Sequence, residues 1–226
     1  YNGTLVVQGT LADSGCRKIG TVYITDLGNI RETYAGDIVA TGAGRLLEDI
    51  EIKGNVECRS SLNLSGYQLK AENVICTGTL TTGQGGLYCD YLTLKGSLIM
   101  TYPEACMEVD NLVLQQGRNT SSVTDGTILI HGNLTEKNTG AAFTTKENAV
   151  VILEAPQADE AHPAQIALST SGSRLETLIL RTNWKYYDCN RSLSGLANQI
   201  RSEYPDDVAP TTPGNVRNTG VSCWWV

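Results

Sequence analysis

The chain has 226 residues and a net charge of −7, with 18% charged residues, 6% aromatics and 23 glycines. Its Lys and Arg are scattered singly, so no basic face neutralises phosphates or an anionic surface, and nucleic acid is excluded as a partner. No apolar run approaches the roughly 18 residues of a membrane-spanning helix, so membrane insertion is not expected.

In chain order, the first forty residues alternate only in short bursts. Leu5/Val7, Val22/Ile24 and Ile38/Ala40 recur after 17 and then 16 residues. Side chains two apart share one face of a strand, so these bursts predict loose coils of a repeating β structure. The chain opens on "YNGTLVVQG", already inside the pattern, which suggests a removed leader or a piece of something longer. The glycine-bearing "ATGAGRLLEDIEI" (40–52) superficially resembles a phosphate-binding turn, but Leu47 stands where the third glycine belongs. With no helix N-terminus to receive a pyrophosphate, a plain corner is expected there.

From residue 50 the repeat tightens. Val56, Val74, Leu92 and Leu112 are spaced 18, 18 and 20, and Cys58, Cys76, Leu94 and Leu114 repeat those steps. Leu69/Leu87/Met107 and Ala71/Cys89/Val109 share the steps of 18 and 20, while Leu62, Leu80 and Leu98 are 18 apart. Several columns sharing one period and one slip mark a stacked repeat, in which no coil buries its inward side chains without neighbours. Three short strands and three corners per coil predict an all-β parallel β-helix, or β-solenoid, of about 18 residues per turn. The general preference for right-handed parallel crossovers makes it right-handed. Asn55, Asn73, Asn111 and Asn133 hold one corner, where asparagine tolerates left-handed backbone and bonds locally. Tyr91 interrupts that row.

Beyond residue 114, Ile128/Ile130, Leu134, Val151/Leu153, Ile166/Leu168 and Leu178/Leu180 predict wider coils, with insertions at 116–126 and 155–164. "NWKYYDC" (183–189) reads as an aromatic cap over the last coil. Leu193, Leu196, Ile200 and Tyr204 share a helical stripe, predicting a helix that covers a solenoid end. The expected organisation is a solenoid over 1–190, a helical cap and linker over 191–206, and a linker with strand-like sequence over 207–226.

Two stretches carry a family resemblance. "PGNVRNTGVSCWWV" (213–226) resembles the start of a fibronectin type III domain: Pro213, Asn215 and Val216 match its first strand, and Val221, Cys223 and Trp225 its second. Such a sandwich needs seven strands, so two alone do not fold as one. "TDGTILIHGNLTEK", "AAFTTKENAVVILEA" and "SRLETLILRTN" are similar to β-solenoid repeats of large secreted and cell-surface proteins of Gram-positive bacteria. The resemblance covers most of 48–226; Asn148, the cysteine-rich core and the 155–164 insertion depart from its pattern. It implies an extracellular architectural region and names no ligand.

Chemistry-bearing residues are few. Glu72, Asp90 and Asp110 repeat in register on the outward side and predict an acidic ladder, with no Lys or Arg in its column. A solvated corner is the plain reading of that ladder, with cation binding and catalysis as the sharper ones. Trp184, Tyr186 and Tyr187 form the aromatic cluster that could stack on sugars. His131 and His162 are the two histidines, and neither stands in a motif with Ser or Cys. The seven cysteines (16, 58, 76, 89, 106, 189, 223) lack zinc spacing and are expected to pack mainly as small hydrophobes, with disulfides as the minority reading. No cofactor and no enzymatic activity are expected. The expected role is a structural segment of an extracellular surface protein, as stalk, spacer or self-assembling filament subunit. Its candidate partners are copies of itself, added end to end or by strand addition, and glycans if it is an adhesin. A carbohydrate-active β-helix enzyme is the remaining alternative.

Overall fold

The computed structural model describes residues 5–7, 11–12, 21–31, 33–115, 122–137, 140 and 142–203. Its strand register reproduces the sequence columns. Leu69 pairs with Leu87, Val74 with Leu92 and Cys76 with Leu94; one turn on, Leu87 pairs with Met107 and Leu92 with Leu112. Parallel strands stack as a β-solenoid of about nine turns, about 20 residues each.

Where three separate short strands per coil were expected, two are joined. Ile50–Cys58, Gln68–Cys76, Gly86–Leu94 and Cys106–Leu114 are nine-residue strands. In the last three, two successive residues point outward: Glu72–Asn73, Asp90–Tyr91 and Asp110–Asn111. That pair shifts the in–out alternation and turns the strand while its ladder continues. Each long strand therefore serves a first face (69–71 and its equivalents) and a second face (74–76 and its equivalents). The short strands Leu62–Asn63, Leu80–Thr81 and Leu98–Met100 build the third face, a separate five-stranded sheet. Inward pairs count side chains; they do not reveal that backbone pairing survives the corner.

One continuous core runs up the axis from Val22 to Ala197. Leu69, Val74, Leu80, Leu87 and Leu92 are all 0% exposed, and burying each such aliphatic side chain contributes about 1.5–3 kcal/mol. Rungs approach closely at the corners: a Cβ on Gly96 would lie 2.0 Å from the Gly78 carbonyl oxygen. The asparagine corner is a hydrogen-bonded column. Asn55 Nδ2 donates to Asp37 Oδ1 (2.9 Å), Asn73 Nδ2 to Asn55 Oδ1 (2.6 Å), and Asn133 Nδ2 to Asn111 Oδ1 (2.7 Å). Tyr91 sits between Asn73 and Asn111 and divides the column in two.

The segment 40–52 is ordinary solenoid, with short strands and corners and no helix. Gly44–Arg45 is a third-face strand and Ile50 begins the next long strand. The 155–164 insertion bulges between the first-face strand Val150–Leu153 and the second-face strand Ala164–Ala167. The insertion expected at 116–126 lies partly outside the described residues, and Ser122–Val123 within it is a third-face strand.

The helix expected over 192–204 shrinks to one turn, Leu193–Leu196, capped by Ser192 Oγ accepting from the Gly195 N–H. Ala197–Ser202 is instead a strand, paired with Leu175–Leu180. Leu196 and Ile200 satisfy a helical stripe, but the open edge of the preceding rung offers a complete backbone ladder, and that edge wins. The stack thus runs past 190, to Ser202. The linker and sandwich strands expected over 207–226 lie outside the described residues. Cys58, Cys76 and Cys89 are buried free thiols, and Cys189 is a half-buried one. Cys106 departs from the core reading: alternation with inward Met107 turns it outward, and it is disulfide-bonded.

Candidate functional site

The acidic ladder is the top of a longer column. The offsets that pair Ala71 with Cys89's strand and Cys89 with Val109 put Glu72, Asp90 and Asp110 on successive rungs. The register then carries the column onward through His131, Glu154, Arg181 and Glu203. Arg181 bridges Glu154 (3.5 Å) and Glu203 (2.8 Å). The expectation that no Lys or Arg shares the column is therefore corrected. Turn lengths after residue 114 grow and shrink, which hid Arg181 from a fixed period. On the other side, a register shift leaves Lys53 and Gly54 opposite Glu72.

Asp90 and Asp110 line a shallow outer groove of about 260 Å³ with Lys70, Tyr88, Glu108 and His131. Glu72 does not line it. His131 Nε2 lies 3.0 Å from Glu108 Oε1, and Lys70 Nζ lies 3.8 Å from Glu51. Burial, followed by the charges of Glu108 and Asp49, pushes the Tyr88 phenol up from its ordinary value. Asp90 and Asp110 are exposed. Among the described residues, no three His, Cys, Asp or Glu side chains are arranged to hold a metal ion.

A larger groove of about 570 Å³ runs over the second face, lined by the Asp37–Asn55–Asn73–Tyr91 column and by Tyr23, Glu57 and Ile75. Tyr91 is 54% exposed, and the Arg59 guanidinium sits 5.6 Å from the Tyr23 ring centre.

The aromatic cluster is placed differently. The Trp184 and Tyr187 rings stack with centres 5.7 Å apart. Tyr187 is buried in the second-face strand Tyr187–Cys189, and Trp184 packs on the core. Tyr186 lies outside that pair, under the Lys185 ammonium at 5.0 Å.

Sequence reasoning missed Glu136. It occupies the inward column of Cys58, Cys76, Leu94 and Leu114 and is 3% exposed. Its carboxylate accepts from the Thr170 N–H (2.9 Å) and the Ser173 hydroxyl (2.7 Å). A charge in a core column was the available signal, because a buried carboxylate persists only where donors satisfy it.

The fold thus defines the class, a parallel β-solenoid. No family model, curated protein or solved structure matches the chain.

Proposed function

We propose that this chain is a structural segment of an extracellular surface protein, serving as a stalk, a spacer or a self-assembling filament subunit. The observation that carries this reading is the unbroken core, continuous over about nine turns. At about 4.8 Å per rung the stack is about 43 Å long. Axial side-chain columns at the corner between the first and second faces, Asp37–Asn55–Asn73 and Glu154–Arg181–Glu203, tie successive rungs together. Such ties suit a part whose task is length and stiffness. Electron microscopy of the purified chain across a concentration series tests the reading. Fibres with a regular repeat select the filament subunit, and short uniform rods select the stalk. Compact particles without a long axis refute both.

A glycan-binding adhesin is the second reading, favoured by the second-face groove with its amide column and the exposed Tyr91 ring. Tyr91→Ala should then abolish retention on immobilised oligosaccharides. Tyr187 is unsuited to that test, since losing a buried ring perturbs the fold.

A further inference from the structure

We propose that the second-face groove binds an extended, uncharged, β-linked glycan laid parallel to the solenoid axis, with the Tyr91 ring stacked on one of its sugars. The inference rests on the adhesin reading and names the ligand class for it.

The groove is a trough between two side-chain columns. On the corner side stand Asp37, Asn55, Asn73 and Tyr91, one to a rung. Tyr23, Val39, Glu57, Ile75 and Thr93 form the facing column, again one to a rung. Between the columns Ile38, Val56 and Val74 turn inward and are buried, so the floor is backbone. From the Tyr23 rung to the Thr93 rung the trough is about 19 Å long.

Tyr91 carries the argument. Its partners in the corner column on the neighbouring rungs are Asn73 and Asn111, and a tyrosine there interrupts a row of amides that bond from rung to rung. Positions that break a local rule at a cost in stability concentrate at functional sites. The ring is 54% exposed, so burial in the core does not account for it. An exposed ring at the end of a trough is a platform for the apolar face of a sugar.

The corner amides supply the polar half. Asn55 and Asn73 each use one side-chain N–H on the preceding rung, and a carboxamide has two. The second is left for a ligand hydroxyl, on a group already held in place, which lowers the ordering cost of binding. The rung spacing then selects the ligand. An extended polypeptide advances about 3.3 Å per residue and falls out of step with the amides. The second-face strands are paired on both sides, so no edge is open for strand addition. A pyranose in an extended β-linked chain advances by close to one rung, so successive sugars meet equivalent groups. Alternate sugars of such a chain turn over, and the facing column alternates likewise, with Glu57 between Val39 and Ile75. Among the described lining residues the charged ones are Asp37 and Glu57, and Arg59 beside them is committed to Glu57 at 2.9 Å. Acidic polysaccharides are therefore repelled.

Titration calorimetry of the full chain with cellohexaose, chitohexaose and their trisaccharides tests the proposal. At least one hexaose should bind about tenfold more tightly than its trisaccharide, which fills only part of the trough. Tyr91→Asn should weaken that binding about tenfold while its unfolding midpoint rises, so loss of binding and loss of fold are separated. Equal affinity for long and short chains, unchanged binding by Tyr91→Asn, a midpoint that falls, or preference for polygalacturonate or a proline-rich peptide overturns the proposal. If immobilised glycans of other kinds are retained and neither hexaose binds, the ligand class is wrong and the adhesin reading stands. If no glycan binds, both fall.

Discussion

The turns between residues 50 and 115 and those between 122 and 203 solve the same problem with different materials. In the first region, successive rungs are offset by 19, 18 and 20 residues on the first face. The peptide groups of one coil are satisfied by the next: the Leu62 N–H donates to the Thr79 carbonyl, and the Leu80 N–H to the Ser97 carbonyl. In the second region the first-face offsets are 21, 23, 27 and 22, so corner peptide groups lose their equivalents one rung away. Buried polar side chains take over. Besides Glu136, Ser173 Oγ accepts from the Phe143 N–H, Thr182 Oγ1 from Ala155, and Thr145 Oγ1 from Glu176. Regular coils are held by backbone and aliphatic packing. Irregular ones need specific side chains to satisfy the backbone that insertion strands.

The largest effect should come from breaking the regular region at its centre. Leu92→Ala opens a cavity in a fully buried column and should cost about 2–5 kcal/mol, measured by denaturant unfolding. Because rungs are coupled through their neighbours, the loss should be sensed by probes at both ends of the stack.

In the irregular region the informative change is Glu136→Leu. It installs the side chain that Leu94 and Leu114 place in the same column, yet it unpairs the Thr170 N–H and the Ser173 hydroxyl. It should therefore destabilise by about 1–3 kcal/mol. A neutral or stabilising result would mean that the buried polar groups are dispensable.

A smaller gain is expected from Tyr91→Asn. The substitution joins the Asn55–Asn73 and Asn111–Asn133 columns and should stabilise the regular region by about 0.5–1.5 kcal/mol. An unfolding midpoint that fails to rise would show that the corner amides add nothing along the axis.

The least effect at neutral pH concerns the thiols. Burial pushes Cys76 from its ordinary 9.0 to about 11 and Cys89 to about 12. The folded state thus favours the protonated forms. Their contribution is fully present below pH 9.0 and is lost as pH rises through the folded values. Stability should fall in that alkaline window. At neutral pH the half-buried Cys189 should alkylate before Cys58, Cys76 or Cys89, read by mass spectrometry. Early labelling of Cys89 would mean that the regular coils open locally.

Within the regular region much was legible in the residues alone. Inward positions such as Leu69, Val74 and Leu80 recur because each coil must present the same face to the same axis, and a fixed period makes that visible. The corner asparagines and the interruption at Tyr91 follow from the same pattern. What stayed hidden depended on neighbours rather than on period. Whether Ala197–Ser202 is helix or strand was decided by the open edge of Leu175–Leu180. Arg181 joined the acidic column only once uneven turns were stacked in space. Glu136 met its donors only when folding brought Thr170 and Ser173 beside it. Periodicity records which face a side chain takes within its own coil; what lies above, below or across that face exists only after the coils have stacked.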